Sequence, residues 1–281
     1  MTDLEKQPVN ESDWDYLIVL DACRYDYFKE NYEDFFKGEL KKYESRGAAT
    51  PEWLWKTFTS RYNYNYISAN PYINNAGLSL DELVSGVDEE WDARQKFQNI
   101  INSWAEDWDE ELGTVHPEDL TDTALEITEY SKTVVHYIQP HRPYISGNDQ
   151  EHSWAPKAEI EGQEKSFKRK IFDKTRPLWD PIFKNLPFKA RSKIKTVLGM
   201  GNRFEKLVKE EGADQVKEYY KEDLRLAMKE AARFTEKTNG KVVVTADHGE
   251  LLGENNEWGH YIGGKEKELI EVPWLEVKGV K

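Results

Sequence analysis

Short apolar runs that close on a polar residue alternate along this chain with stretches whose apolar residues recur every three or four positions. Asp15-Tyr-Leu-Ile-Val-Leu-Asp21 is the first such run, apolar through Leu20 and ending in a carboxylate. Between Arg24 and Phe36 the aromatics Tyr25, Phe28, Tyr32 and Phe36 fall at spacings of three and four, which predicts a helix with one apolar face. Leu40 to Tyr43 reads as a strand. Thr50-Pro51-Glu52 opens a helix, with Thr suited to the N-cap and Pro to the first turn. Tyr64 to Ser68 reads as a further strand, whereas 70–112 is acidic, Trp-rich and without a clear period. A helix is expected from about Glu118 to Tyr130, then a buried strand, Thr133-Val-Val-His-Tyr-Ile138. A long helix from about Asp214 to Lys237 follows, with Val216, Tyr219, Tyr220, Leu224, Met228, Ala231 and Ala232 as its buried positions and Asn239-Gly240 as its stop. Val242-Val-Val-Thr-Ala246 is a strand that runs straight into Asp247-His248-Gly249, and Leu269 to Val277 makes the last one. Residues 1–13 read as a loose leader.

Strands that alternate with helices predict a three-layer αβα sandwich. At 281 residues the chain is read as a single domain over 1–281. Three strands end in residues able to ligate: at Asp21, at the Gln139-Pro140-His141 turn, and at Asp247-His248. In open α/β sheets, ligands gather outside the carboxyl ends of the strands.

Composition narrows the classes. With 39 Lys plus Arg against 53 Asp plus Glu the net charge is −14, which argues against a general nucleic-acid binder. The stretch 145–212 breaks this trend. From Lys157 to Lys209 there are 15 basic and 6 acidic residues, so the rest of the chain carries −23. This stretch is read as a basic helical insertion or cap, a lid that attracts anionic substrate or a patch in peripheral contact with an anionic surface. One cysteine, Cys23, leaves no disulfide framework and reads as a buried free thiol. No run of 18 apolar residues and no signal-peptide core is present, so the expected location is the cytoplasm. Oligomeric state is not legible.

The candidate chemistry is that of a divalent cation. Asp21 offers a hard oxygen, and Asp247 with His248 a mixed oxygen–nitrogen pair, a set that suits zinc or manganese better than calcium. Thr50 stands in Arg46-Gly-Ala-Ala-Thr-Pro51, where a helix N-terminus would receive a phosphoryl group and Gly47, Ala48 and Ala49 leave room for it. His141 and His260 lie in loops expected to border the same sheet edge. His136 is read as a core histidine beside Val134 and Ile138, and His116 and His152 as structural or exposed. Arg24 and Arg142 could neutralise an anionic substrate or form ordinary salt bridges.

Four ordered blocks carry a resemblance to the alkaline phosphatase–sulfatase superfamily. They are Leu17-Ile-Val-Leu-Asp21-Ala-Cys-Arg24-Tyr-Asp26, Gly47-Ala-Ala-Thr50-Pro51, His136-Tyr-Ile-Gln-Pro-His141-Arg-Pro-Tyr144, and Val244-Thr-Ala-Asp247-His248-Gly-Glu250, with Trp258-Gly-His260 and Glu271-Val-Pro273 closing the set. The resemblance implies an alkaline phosphatase-like fold and a metal-dependent hydrolase or transferase acting on phosphate mono- or diesters. It implies metal ligands Asp21, Thr50, Asp247 and His248, with Thr50 as the metal-bound nucleophile that forms a phosphothreonine. His141, His260 and Arg24 would bind substrate or a second metal. The cofactor would be one or two divalent ions (Zn, Mn, Mg or Ca), and the partner an anionic ester substrate. Sulfatases mature a Cys or Ser to formylglycine, and Thr50-Pro51-Glu52-Trp53-Leu54 lacks that motif. The alternatives are a sulfate-ester hydrolase-like enzyme, a non-catalytic protein on the same fold that binds anionic glycans or lipid headgroups, and a scaffold using Trp91 to Trp108.

Overall fold

In a computed structural model of the protein, residues 3–84, 87–127, 132–147 and 203–281 are described. The strands in chain order are β1 (Tyr16–Leu20), β2 (Phe36–Glu44), β3 (Tyr64–Ser68), β4 (Asn99–Asn102), β5 (Trp108–Asp109), β6 (Thr114–Val115), β7 (Lys132–Tyr137), β8 (Val242–Ala246), β9 (Leu251–Leu252), β10 (Trp258–Gly259) and β11 (Glu271–Val280). Seven of them form one sheet in the order β2-β11-β8-β1-β7-β3-β4. The inner strands are parallel, β1 lying between β8 and β7, and β11 runs antiparallel to both β8 and β2. The other four make two short hairpin ladders.

Burial on both faces explains the near-continuous apolar runs. Ile18, Leu20, Val135, Tyr137, Val242, Val244 and Ala246 pack on one face with Leu224, Ala227, Met228 and Ala231 of a long helix. Leu17, Val19, Val134 and Val243 pack on the other with Trp53, Leu54 and Phe58. The helices are α1 (Tyr25–Asn31), α2 (Thr50–Thr57), α3 (Leu80–Leu83), α4 (Ala93–Lys96), α5 (Ser103–Glu106), α6 (Pro117–Glu126), α7 (Arg203–Glu211), α8 (Ala213–Lys237) and α9 (Lys267–Ile270). Helix α2 belongs to one outer layer and α6 and α8 to the other. The expected αβα architecture is what forms, a central, mostly parallel sheet covered by helices.

Several local expectations change. The helix at 24–36 stops at Asn31, passes through a short 3-10 turn and gives way to β2, where Phe36 is buried as a strand residue. Its three-and-four aromatic spacing reflects burial from two different elements. Thr50 is the first helical residue and not the N-cap, a position that falls to extended Ala49. Helix α6 ends at Glu126, and residues 267–270 make one helical turn before β11. The unreadable stretch 70–112 contains α3, α4, α5 and β4.

The loose leader is also corrected. Gln7 and Val9 are fully buried. The Gln7 amide donates to Thr245 Oγ1 (2.7 Å) and the Ala246 carbonyl (2.8 Å) and accepts from Trp53 Nε1 (2.7 Å). The N-terminal segment thereby joins α2 to the end of β8, and a buried amide with all these partners is held firmly. Of the basic insertion, 148–202 lies outside the described residues, as does most of the charge excess between 157 and 209; 203–211 is helix α7.

Candidate active site

Side chains alternate across a strand, so register and parity decide what meets at the sheet edge. Val19 is aligned with His136 on one side and with Thr245 on the other. The rows Leu17-Val19-Asp21, Val134-His136 and Val243-Thr245-Asp247 therefore project to the face covered by α2. Parallel pairing brings the carboxyl ends of β1, β7 and β8 together, and the N-terminus of α2 closes over them with Thr50.

Asp21, His136, Asp247 and His248 are all fully buried, and Thr50 is 3% exposed. Thr50 Oγ1 stands 3.4 Å from Asp21 Oδ2 and 3.3 Å from His248 Nε2. His248 Nε2 is 3.4 Å from Asp21 Oδ1 and 3.5 Å from Asp247 Oδ2. The other ring nitrogen, Nδ1, lies 2.7 Å from the Gly249 carbonyl, which can only accept, so Nδ1 carries a proton and Nε2 is the nitrogen turned to the carboxylates. The four residues proposed from the sequence as a ligand set are thus brought to one point.

Two further residues belong to this point. His136 Nε2 lies 3.9 Å from both Asp21 Oδ2 and Asp247 Oδ2, with Nδ1 on the Tyr66 hydroxyl at 2.9 Å. It is buried like a core histidine, but it faces charge and not hydrocarbon. Asp21, His136 and Asp247 offer ligand atoms within 4.8 Å of one another. Register reveals it: with Val19 aligned to His136, the histidine shares its sheet face with the row that ends in Asp21. Asn70, just past β3, was missed; its amide donates to Asp21 Oδ2 at 2.7 Å. Nothing local in the sequence marks it.

Asp21 Oδ1, His136 Nε2, Asp247 Oδ2 and Glu250 Oε2 are buried without a hydrogen-bond partner. Burying such atoms unpaired is costly, and those of Asp21, His136 and Asp247, gathered around one point, suit a divalent cation as ligands. The electrostatics agree. Burial pushes against a charged imidazole, yet the charge of Asp247 and the hydrogen bond and charge of Asp21 raise the His248 pKa to about 10. Burial likewise opposes ionisation of Asp21, but His141, His248 and His136 hold its carboxyl well below the usual range.

A second group borders the first. His141, Glu250 and His260 also offer ligand atoms within 4.8 Å of one another. His260 Nδ1 is 2.9 Å from Glu250 Oε1, and its ring centroid is 4.3 Å from that of His248 and 5.2 Å from that of His141. Burial lowers the His141 pKa, against the opposing charge of Asp21. Glu250 had no role in the sequence reading beyond completing Asp-His-Gly-Glu.

The remaining candidates separate. Arg24 does not join the two groups: its guanidinium is bound to both Asp26 oxygens, to Glu254 at 2.6 Å and to the Glu250 carbonyl. Of the two roles expected for it, the structure places Arg24 in salt bridges, its buried guanidinium tying the β1 loop to the loop after β9 through the more exposed Asp26 and Glu254. Cys23 is a buried thiol, raised well above its ordinary pKa by burial and by the charges of Asp26 and Asp247, so it holds its proton. Glycine at 249 and at 47 is required by the close approach of other backbone. A Cβ at Gly249 would lie 2.0 Å from the Glu268 carbonyl, and one at Gly47 would lie 2.3 Å from the Trp53 nitrogen. In both places the backbone of a second segment needs the space.

No protein-family model and no curated protein matches the chain. Among solved structures, it is similar to the soluble domain of lipooligosaccharide phosphoethanolamine transferase A from Neisseria meningitidis (11% identity, 98% of this chain and 77% of that one, TM-score 0.49). It is also similar to the C-terminal periplasmic domain of EcEptC from Escherichia coli in complex with Zn (10%, 96% and 75%, TM-score 0.40) and to the phosphonate monoester hydrolase of Agrobacterium radiobacter (10%, 97% and 67%, TM-score 0.40). At these identities the likeness is one of fold. The expected cytoplasmic location is corrected, because the similar structures include periplasmic domains of transferases. Among the described residues no helix is long and apolar enough to cross a membrane.

Proposed function

We propose that this protein is a divalent-metal-dependent phosphoester hydrolase or transferase that uses Thr50 as its nucleophile. The observation that carries this reading is the set of unpartnered buried atoms of Asp21, Asp247 and His136 beside the Thr50 hydroxyl and His248 Nε2. Asp21, Asp247 and His248, with Thr50 and His136 in reach, would hold a divalent ion, which would supply Lewis acidity to a hydroxyl and to a phosphoryl group. Zinc and manganese fit this mixed oxygen and nitrogen set best.

Thr50 Oγ1 forms the bond to phosphorus as the bond to the leaving oxygen breaks; the Thr50 proton ends on that departing oxygen, which leaves as the alcohol, and Asp21 Oδ2, 3.4 Å away, orients the hydroxyl. Asn70 holds that carboxylate in place through its 2.7 Å bond. His141 and His260 flank the substrate's other side. His141, whose pKa burial lowers, takes the proton of the water or alcohol that resolves the phosphothreonine, and that proton ends on Thr50 Oγ1 as its hydroxyl is regenerated. Water gives hydrolysis and an alcohol gives transfer. A second ion at His141, Glu250 and His260 is the one variant that a specific observation favours, since Glu250 Oε2 is buried and unpartnered there.

The test is turnover of aryl phosphate mono- and diesters with Zn or Mn by the wild type, Thr50→Ala and Thr50→Ser. A nucleophile role predicts a loss of at least about 10^3-fold in kcat for Thr50→Ala, with partial activity for Thr50→Ser. Undiminished turnover by Thr50→Ala overturns the assignment. Metal binding without turnover on any ester favours a non-catalytic binding protein.

A further inference from the structure

Helix α8 lies outside both groups of ligating side chains, yet two polar residues one turn apart on it reach the loops that carry them. Tyr220 Oη donates to the Ala22 carbonyl at 2.7 Å and accepts from the Arg24 N–H at 2.9 Å. It thereby pins the loop that follows Asp21, where Ala22 holds a left-handed conformation (φ 59°) that costs a non-glycine residue energy. Asp223 does the same for the loop after β7. Its carboxylate accepts the Ile145 N–H (2.8 Å), the Ser146 N–H (2.9 Å) and the Ser146 hydroxyl (2.7 Å).

We propose that Asp223 is a positioning residue that fixes the His141 loop against α8, and that Tyr220 and Asp223 together set the spacing between the Asp21 loop and the His141 loop. The residues sit three apart and so share one helix face. Asp223 is fully buried, in a place where a carboxylate is retained only with good partners. Those partners are backbone groups four and five residues beyond His141. Releasing them loosens the loop at Ile145 and Ser146, and the distance of the imidazole from His260 and Glu250 is then less firmly fixed. This rests on the proposed use of His141 for any effect on turnover, but the anchoring itself does not.

The experiment compares the full-length wild type with Asp223→Asn, Asp223→Glu and Ser146→Ala. Three quantities are read: amide hydrogen exchange at Ile145 and Ser146, zinc affinity by competition, and kcat and KM on an aryl phosphodiester. Ser146→Ala removes only the hydroxyl's bonds to Asp223 and to the Tyr219 carbonyl and keeps the buried carboxylate, so it remains informative if Asp223→Asn folds poorly. Positioning predicts faster exchange at Ile145 and Ser146 in Asp223→Asn, by about tenfold or more, and a smaller rise in Ser146→Ala. It predicts that kcat/KM falls about 10- to 100-fold in Asp223→Asn, more than the folded fraction falls, with partial recovery in Asp223→Glu. Unchanged exchange at both amides overturns the proposal. So does a loss of turnover that only tracks the loss of folded protein. If exchange responds but the wild type turns over no ester, the anchoring stands and the proposed activity fails.

Discussion

Asp247→Asn is a nearly isosteric deletion of one charge from the site. Asp247 Oδ1 accepts the Ala22 and His248 N–H groups at 3.1 and 2.8 Å, and an Asn carbonyl keeps both bonds. The atom that changes is the unpartnered Oδ2. In the metal-free protein two Coulomb effects then oppose each other. Losing the repulsion from Asp21, whose ligand oxygen is within 4.8 Å, gains about 3.5 kcal/mol at an effective dielectric of 20. Losing the attraction to protonated His248 at 3.5 Å costs about 5 kcal/mol on the same scale. The two nearly cancel, so metal-free stability should move by only about 1–2 kcal/mol. Binding of a cation does not cancel. At a metal concentration 100 times Kd the wild type gains about 2.7 kcal/mol, or about 5–10 °C in melting temperature, and chelator removes it. Asp247→Asn should lose most of that increment. The assay is thermal unfolding of both proteins with EDTA, Zn and Mn, backed by calorimetric titration. A variant that keeps the wild-type response, or a wild type that shows none, would refute the reasoning.

Asp223 supplies a pH prediction with a definite sign. Burial raises its pKa from 3.8 to about 6, so between these values the folded state holds more protons than the unfolded one. Its contribution to stability is therefore full below about pH 4 and is lost as pH rises to 6, by about 3 kcal/mol in total. Urea unfolding from pH 4 to 7 should show this decline in the wild type and not in Asp223→Asn; equal slopes would dismiss it. For Arg24→Met, the expected result is a loss of about 1–2 kcal/mol in stability, because the bonds of the guanidinium to the partly exposed Asp26 and Glu254 are lost, with KM for an anionic ester little changed. A selective rise in KM at full stability would instead make Arg24 a substrate contact.

Local sequence and tertiary register contributed differently to this protein. The runs ending at Leu20, Tyr137 and Ala246 are strands because continuous β-branched and aromatic residues suit a sheet covered on both faces. The long helix at Ala213–Lys237 was legible for a similar reason, since its apolar residues follow the helical period. Asp21, Thr50, Asp247 and His248 stood out because each sits where an element begins or ends. His136, Asn70 and Glu250 did not, and neither did the anchoring by Gln7, Tyr220 and Asp223. A histidine within an apolar strand looks like core until the neighbouring strand and its register are known. Val19, aligned with both His136 and Thr245, settles which face the three strands share. Asn70 lies 49 residues from the carboxylate it holds, and Gln7 lies 238 residues from Thr245. Short-range physics, side-chain period and turn chemistry, therefore determined the elements and the chemically marked strand ends. Contacts between distant residues were decided by strand order and helix packing, because hydrogen bonds of this kind leave no periodic trace in the chain.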